Sequence, residues 1–394
     1  MNVGIEYEFL LVDKDFNPSN NSVNIVNYCN ENGLPLHLDC SKSIIEFSGT
    51  PGNIVEVFDE LCEFTEKLDI LLNDSGYDFL PIDNPFNFNF KSEILDKQNY
   101  NLKKNMLGEE VYYLSGSIMA VHLHFDEREE DYSNLRLYNF LNIFDSLGVV
   151  FSPVVGKAKK SDFKFSDNFE ILNLRSFIYR KILYNNFPNQ GDLQGVFSDY
   201  IFLENFLQKS FNDFREVSLV YGDDYVKYGD KYSSVWGPVR FNKKFKTIEY
   251  RGFGSNPDLY LIFGLISLAS ASIRKIERLN LSNEYIFENF LGTDNTDVAS
   301  EKIKYLSNSA MLEGLSSDDV FDLAVNVFDF CSSDMSSQEL FFADYLKKNY
   351  LLKRTSISKN LLYSDMSQKE KALYVKNVFK SIKKDWNKNK ILIS

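Results

Sequence analysis

Between Gly4 and Val12 the chain reads GIEYEFLLV, and its polar and apolar positions alternate. As a strand it puts Ile5, Tyr7 and Phe9 on one face and Glu6 and Glu8 on the other. Three later stretches have the same form. Ser43–Phe47 (SIIEF) sets Glu46 into an otherwise apolar run, and Ala120–Phe125 (AVHLHF) sets His122 and His124 opposite Val121, Leu123 and Phe125. Thr247–Phe253 (TIEYRGF) puts Glu249 and Arg251 together, against Ile248 and Tyr250. Leu36–Asp39 and Tyr77–Pro81 read as brief strands; Ser233–Arg240 and Phe245–Phe253 read as two adjacent strands joined through Asn242-Lys243-Lys244.

Helical spacing predicts Val23–Asn32, ended by Gly33, and Ile54–Asn73, with Val57, Leu61, Phe64, Leu68, Leu71 and Leu72 on one stripe. It also predicts Leu135–Val150, and Leu174–Phe187 with Arg175 and Arg180 on it. Phe211–Tyr225 shows no clear period, and the loop Asn84–Asn89 shows none. Past Pro257 the pattern is helical almost throughout, with breaks near Asn280, Gly292, Gly314, Ser332 and Ser364, and Lys383–Lys390 reads as a polar, frayed end. A β-rich part thus precedes a helical part, which is an α+β pattern.

The acidic faces need explaining. Glu6 and Glu8 on one strand face are roughly 7 Å apart. At an effective dielectric near 20 their repulsion is about 2 kcal/mol. A solvated edge strand tolerates that; a buried one needs cations. Each polar face taken alone reads as the outer side of a half-exposed strand. Together they gather four Glu, two His and an Arg, the inventory of a metal–nucleotide site, with carboxylates for hard cations and Arg for phosphate.

Composition narrows the class. At 394 residues the chain exceeds one small core, so one large domain with a helical annex, or two domains, is expected. A net charge of −13 with no balancing basic stripe argues against a nucleic-acid binder. Cys29, Cys40, Cys62 and Cys331 form no CxxC pair and read as buried free thiols of a reducing compartment. The first strand begins after three residues, leaving no room for a signal peptide, and the longest apolar run, Leu259–Ala271, is too short to span a bilayer. A cytoplasmic protein without a membrane partner is the expectation.

Familiar nucleotide motifs are missing. Gly156-Lys157 lacks the upstream Gly and the Ser/Thr of a Walker loop, and Gly252-Phe-Gly254 meets Pro257 where a dinucleotide fingerprint needs its third Gly. With three His and no Ser-centred elbow, a serine hydrolase is disfavoured. Lys157, Lys159 and Lys160 read as a solvated loop rather than a phosphate clamp.

The remaining motifs resemble the glutamate–cysteine ligase and carboxylate–amine ligase families. GIEYEFLLVD resembles their opening strand, G-[IV]-E-x-E-F, and Asp39-x3-Ser43-x2-Glu46 their second acidic motif. His122-Leu-His124 resembles their H-x-H strand. Arg180-x7-Pro188-x2-Gly191 matches the spacing of an Arg…Pro…Gly motif in type 2 glutamate–cysteine ligases. Arg240 followed by Thr247-Ile-Glu249-Tyr-Arg251 resembles their R…T-[IV]-E-x-R strand, and Asn256-Pro257 is similar to the Asn-Pro that follows it in type 1 enzymes. The motifs keep their order from the first strand to Pro257. One departs: Gly254 stands where the family usually has Asp, which bears on substrate more than on fold.

The resemblance implies a glutamine-synthetase-like fold, α+β, with a curved antiparallel sheet whose concave face holds ATP and Mg²⁺, Mn²⁺ being an alternative ion. Residues 1–257 would form the catalytic domain, and 258–394 a helical part packed on the same domain. It implies ATP-dependent amide formation through an acyl phosphate. The default substrates are glutamate and cysteine, with another amino acid or amine as the alternative, and a non-catalytic nucleotide or amino-acid binder or a phosphotransferase as readings of other classes. Glu6, Glu8, Glu46, Glu249 and His122 would be metal ligands, with Asp39 reaching a metal through water. Arg251 and Arg240 would contact phosphate or a substrate carboxylate, as would Arg180, and His124 would bind substrate or support the core. The partners implied are small molecules, and a homo-oligomer is compatible with the sequence.

Overall fold

The computed structural model describes residues 1–86, 90–155, 158–159, 170–187, 189–356, 361 and 365–393. In chain order its strands are β1 (Gly4–Asp13), β2 (His37–Leu38), β3 (Ile44–Ser48), β4 (Tyr77–Leu80), β5 (Ala120–Asp126), β6 (Ala158–Lys159), β7 (Glu170–Ile171), β8 (Val239–Asn242) and β9 (Thr247–Gly254). Apart from the ribbon β6–β7 they form one seven-stranded sheet, in the order β2-β3-β1-β5-β9-β8. β5 pairs with Gly4–Tyr7 of β1, and β4 pairs with Leu10–Asp13. Every pairing is antiparallel, and the sheet curves into a half-barrel. The α+β expectation, with its curved antiparallel sheet, is therefore met.

Register decides what the polar face carries. Glu8 lies opposite Glu46, Glu6 opposite His122, His124 opposite Glu249, and Glu249 opposite Arg240. Because side chains alternate, all of these fall on one face. The β5–β9 register shifts between Val121 and Leu123, a local irregularity at His122 of the kind that re-aims a side chain.

Helices flank the sheet. α1 (Ser22–Glu31), α2 (Ile54–Ser75), α3 (Gln98–Leu107) and α4 (Glu109–Tyr112) lie between early strands, and α5 (Asp131–Phe151) follows β5. α6 (Leu174–Phe177) runs directly into a π-helical turn, Ile178–Leu183. Then come α7 (Tyr200–Val220), α8 (Leu259–Arg278), α9 (Asn283–Leu291), α10 (Thr296–Leu312), α11 (Asp318–Cys331), α12 (Ser337–Leu346) and a closing helix, Gln368–Ile393. α5 packs on β9 so tightly that a Cβ at Gly148 would collide with the Tyr250 hydroxyl. α2 starts at an Asn53–Glu56 capping box and stops at Gly76 in the left-handed region, and its Phe58 joins Phe263, Phe342 and Trp386 in one aromatic cluster.

Asn256-Pro257-Asp258 joins the sheet to the helical part. The Asn256 backbone N–H donates to Tyr7 Oη at 3.1 Å, and its side chain donates to the Ser152 carbonyl at 2.9 Å. Asp258 caps α8 and accepts from the hydroxyls of Tyr345 and Tyr350. Polar pairs, not turn geometry alone, thus account for this motif.

Several expectations are corrected. Phe211–Tyr225 belongs largely to α7, whose buried stripe is Leu203, Leu207, Phe211, Phe214 and Ser218; a window opening at Phe211 cuts that stripe, and exposed Leu219 and Val220 blur the polar side. Ser233–Pro238 is not strand: Pro238 has no N–H to give, and the Trp236 N–H donates to Gln190 Oε1 at 2.9 Å. The tail is a helix that buries Trp386, not a frayed end. The run opening at Leu259 extends into a 20-residue helix apolar and long enough to cross a membrane, yet 89% of its most apolar window is buried inside the fold. Cys40 is only half-buried and faces a cleft, unlike Cys29, Cys62 and Cys331. Gly156, Lys157, Lys160, Pro188, Ser364 and residues 87–89 lie outside the described residues.

Candidate functional site

The polar face of the sheet forms the floor of a cleft of about 510 Å³. A larger cleft of about 730 Å³ lies elsewhere, between the starts of α2 and α12, but its charges already satisfy one another. There Arg274 pairs with Glu339, and both helix starts are closed by capping boxes. Chemistry rather than volume therefore selects the sheet cleft.

Two carboxylate clusters line that floor, each with oxygen or nitrogen atoms within 4.8 Å of one another: Glu6, His122 and Glu249, and Glu8, Asp39 and Glu46. The six ligand candidates drawn from the sequence thus come together in two groups. His122 Nδ1 lies 3.0 Å from Glu6 Oε2 and 3.8 Å from Glu249 Oε1, while its Nε2 lies 3.7 Å from Glu8 Oε1. Burial, with the nearby Arg251 charge, pushes the His122 imidazole down to about 4, so it is neutral at pH 7 and Nδ1–H donates to ionised Glu6. Burial opposes ionisation of Glu6, but the hydrogen bond from His122 and the nearby His124 imidazole outweigh it and hold its carboxyl below the usual range.

The two groups differ in how their charge is met. Glu249 is fully buried, and its carboxylate accepts from Arg240 Nε and Asn242 Nδ2 at 2.8 and 3.0 Å and from Arg251. Burial would raise its pKa; the two guanidiniums hold it well below the ordinary value. Glu8 accepts one backbone bond, from the Ala120 N–H at 2.6 Å. Burial first, then the charge of Asp39, pushes Glu8 well up, and burial followed by Glu6, Glu8 and Asp39 does the same to Glu46. Among the described residues no Lys or Arg forms an ion pair with Glu8, Asp39 or Glu46. Glu8 is buried and Asp39 and Glu46 are half-buried. Like charges gathered this way, with no ion-paired Lys or Arg among the described residues, are the donor set of a hard divalent ion, so the residues present fit Mg²⁺ or Mn²⁺.

The Arg assignments separate. Arg240 and Arg251 line the cleft, and Arg251 Nε is buried without an acceptor among the described residues. Arg180 does not reach the cleft. It sits in the π-helical turn and forks onto buried Asp145 with bonds of 2.8 and 2.9 Å, and it also donates to Ser307 Oγ at 2.5 Å. The spacing that singled it out reflects a core ion pair. Arg175, one turn earlier, lines the cleft instead, and its Nη2 donates to the Arg251 carbonyl at 3.0 Å. His124 stands beneath the floor, between Thr247 Oγ1 at 3.0 Å and Glu6 Oε2 at 3.5 Å, where it steadies Glu6 rather than facing the cleft.

The opposite wall was not foreseen. It brings Tyr100 and Lys103 from α3, Tyr112, Tyr179, Tyr184 and Trp236 to the cleft. Tyr184 stacks on Trp236 with ring centroids 5.6 Å apart, and Lys103 Nζ sits 3.7 Å from the Trp236 centroid. The aromatic richness of the sequence was the available signal, but α3 reads QNYNLKKNML, too polar to announce a buried face.

Gly254 has a local cause. A Cβ there would lie 2.7 Å from Asp83 Cβ and 3.6 Å from Arg175 Cδ, so an Asp side chain does not fit. Asp83 occupies that space, its Oδ1 accepting from the N–H groups of Val154 and Val155 at 3.1 and 2.8 Å.

A curved antiparallel sheet flanked by helices is an α+β fold of ligase-like type, and the comparisons agree on that fold. No family model matches the sequence, and no curated protein does. Among solved structures, the chain is similar to a glutamate–cysteine ligase from Francisella tularensis in complex with AMP, with a TM-score of 0.66 and 14% identity over 98% of this chain and 88% of that one. It is also similar to a bifunctional glutathione synthetase from Pasteurella multocida, with a TM-score of 0.63 and 13% identity, covering 98% of this chain and 52% of that longer one. The chain has the fold of these ligases, and at such identities the likeness speaks to fold alone.

Proposed function

We propose that the chain is an ATP-dependent carboxylate–amine ligase. The observation that carries this reading is the meeting, in one cleft, of carboxylates without an ion-paired Lys or Arg among the described residues (Glu8, Asp39, Glu46) and cleft-lining guanidiniums (Arg175, Arg240, Arg251). Joining a carboxylate to a phosphoryl group brings anions together, and that demands dense positive charge. Glu8, Asp39 and Glu46, with Glu6, His122 and Glu249 behind them, would hold Mg²⁺ or Mn²⁺. When bound, the ions neutralise phosphate charge and orient the transferring group.

The chain's own residues do the rest. Arg240 and Arg251, fixed by Glu249, present N–H groups to phosphate or to the substrate carboxylate. Ionised Glu6 fixes the His122 ring, and His124 fixes Glu6. The aromatic wall excludes water, which protects an acyl phosphate from hydrolysis until an amine displaces phosphate. The Francisella structure's bound AMP is consistent with nucleotide binding by a chain of this fold. Glutamate and cysteine are the default pair.

The test is ADP release, with mass spectrometry of the product, over a matrix of amino acids and amines. ADP that appears only when carboxylate and amine are both present, together with an amide of the summed mass less water, is the expected result. ADP with the carboxylate alone and a stable phosphorylated product would make it a kinase. Nucleotide binding without turnover would make it a sensor.

A further inference from the structure

Lys103 is a largely buried charge of the cleft that the site as described leaves unexplained. It extends from α3, is 9% exposed, and lines the cleft. Among the described residues its ammonium makes no hydrogen bond and no ion pair; its near neighbours are the faces of Trp236 at 3.7 Å and Tyr225 at 5.9 Å. Ring faces attract a cation, but they do not accept its three N–H bonds. A largely buried ammonium with so little access to water gains from an anion that enters the cleft to pair with it. Burial is the chief reason that its pKa falls to about 7, and the charges of Arg240 and Arg251 push the same way, against Asp39 and Cys40.

The surroundings narrow what enters. Polyphosphate has its own cations at the floor: three guanidiniums, and the ions that Glu8, Asp39 and Glu46 fit. Tyr100, Tyr112, Tyr184 and Trp236 line the same cleft, with Trp236 directly against Lys103, and together they make an aromatic recess suited to a small amphipathic molecule. One anionic group is required there, beside apolar area for the rest of the ligand.

Resting on the ligase reading above, we propose that Lys103 is the specificity residue for the amine-donating substrate: its ammonium donates to the carboxylate of an amino acid seated in the aromatic recess, and so selects amines that carry a carboxylate over the same amines without one. Sites that charge-pair with a substrate group reject the analogue lacking it, because the protein charge is then left buried and alone.

The experiment measures kcat/KM for ADP release with amino acid and decarboxylated amine in pairs (cysteine and cysteamine, alanine and ethylamine), at saturating Mg·ATP and glutamate. Wild type should prefer the amino acid by about a hundredfold or more. Lys103→Met, which keeps length and packing on Trp236, should lose most of that preference, and Lys103→Arg should recover part of it. The ratio is internal to each protein, so a fraction of unfolded variant does not alter it. An unchanged ratio in Lys103→Met, or an effect confined to the KM of ATP or glutamate, overturns the proposal while leaving the ligase reading intact. Absence of ADP release by wild type with every amine overturns the ligase reading and this proposal with it.

Discussion

The two carboxylate clusters share a sheet face, a residue type and a cleft, yet they stand in opposite electrostatic states. In the group Glu6–His122–Glu249, every acid is answered by the protein: Glu249 by Arg240 and Arg251, and Glu6 by two imidazoles. In the group Glu8–Asp39–Glu46, no protein cation forms an ion pair among the described residues, and both glutamates are pushed toward protonation. The cause is topological. β8 and β9 bring Arg240 and Arg251 to one side of the sheet, while β3 on the other side brings only another acid, Glu46 opposite Glu8. One cluster has its charge largely met within the fold, and in the other a bound cation would meet it. The same substitution, Glu to Gln, should therefore have opposite consequences in the two places.

The largest effect belongs to the complete cluster. Glu249→Gln removes the fully buried counter-charge of two half-buried guanidiniums. Breaking a buried ion pair from one side typically costs about 3–5 kcal/mol. Denaturant melts in excess chelator should show the metal-free variant destabilised by that order. Wild-type stability in that variant would mean that the Arg pair is solvated and the comparison void.

Next comes the gain in stability on binding. A ligand at a hundred times its Kd stabilises by about 2.7 kcal/mol. Wild-type protein should gain on that scale from Mg·ATP. Glu8→Gln should gain little and lose most turnover, since it removes a charge from the cluster that lacks cations of its own. Equal Mg·ATP shifts in the two proteins would show that the ions are held elsewhere.

The third effect is smaller and opposite in sign to the first. Glu46→Gln should make the metal-free protein more stable by about 1–2 kcal/mol, because like-charge repulsion within the cluster is relieved. A loss of stability in chelator would contradict the state assigned to this group.

How much of this was open to reading from the chain follows the same division. Alternation revealed Glu6, Glu8, His122 and Glu249, because a strand with one buried face repeats every two residues and leaves its polar side conspicuous. Their grouping depends on register, which no single strand encodes; Glu46 reaches Glu8 only through β3–β1 pairing. Arg180 misled, since a spacing in sequence does not distinguish a side chain that turns into the core from one that turns into a cleft, and a π-helical turn shifts that direction between Arg175 and Arg180. Lys103 was invisible for another reason. Its helix is polar in composition, and the short buried stripe of Leu102, Met106 and Leu107 beside it is too brief to mark Lys103 as buried.

The finest distinction is in pH. Glu46 has a folded-state pKa raised above its ordinary 4.5, so above that pH the folded protein binds more protons than the unfolded chain. Stability then falls as pH rises from about 4.5 until the folded pKa is passed, with a slope no steeper than about 1.4 kcal/mol per pH unit for one group. Glu249 is depressed, so its contribution is already complete above its unfolded pKa and is lost only as pH falls toward its folded value. Lys103, lowered to about 7, acts mainly above pH 7, where stability rises with pH as the penalty on its buried ammonium is relieved. Between pH 5 and 7, subtracting wild-type from variant stabilities in chelator isolates each acid. The advantage of Glu46→Gln should grow with pH across that window, while the deficit of Glu249→Gln should stay flat. Saturating Mg²⁺ should remove the first slope, because bound cation replaces the proton that Glu46 would otherwise hold. Parallel flat lines for both variants would mean that Glu46 is solvated, and the contrast between the clusters would then reduce to burial alone.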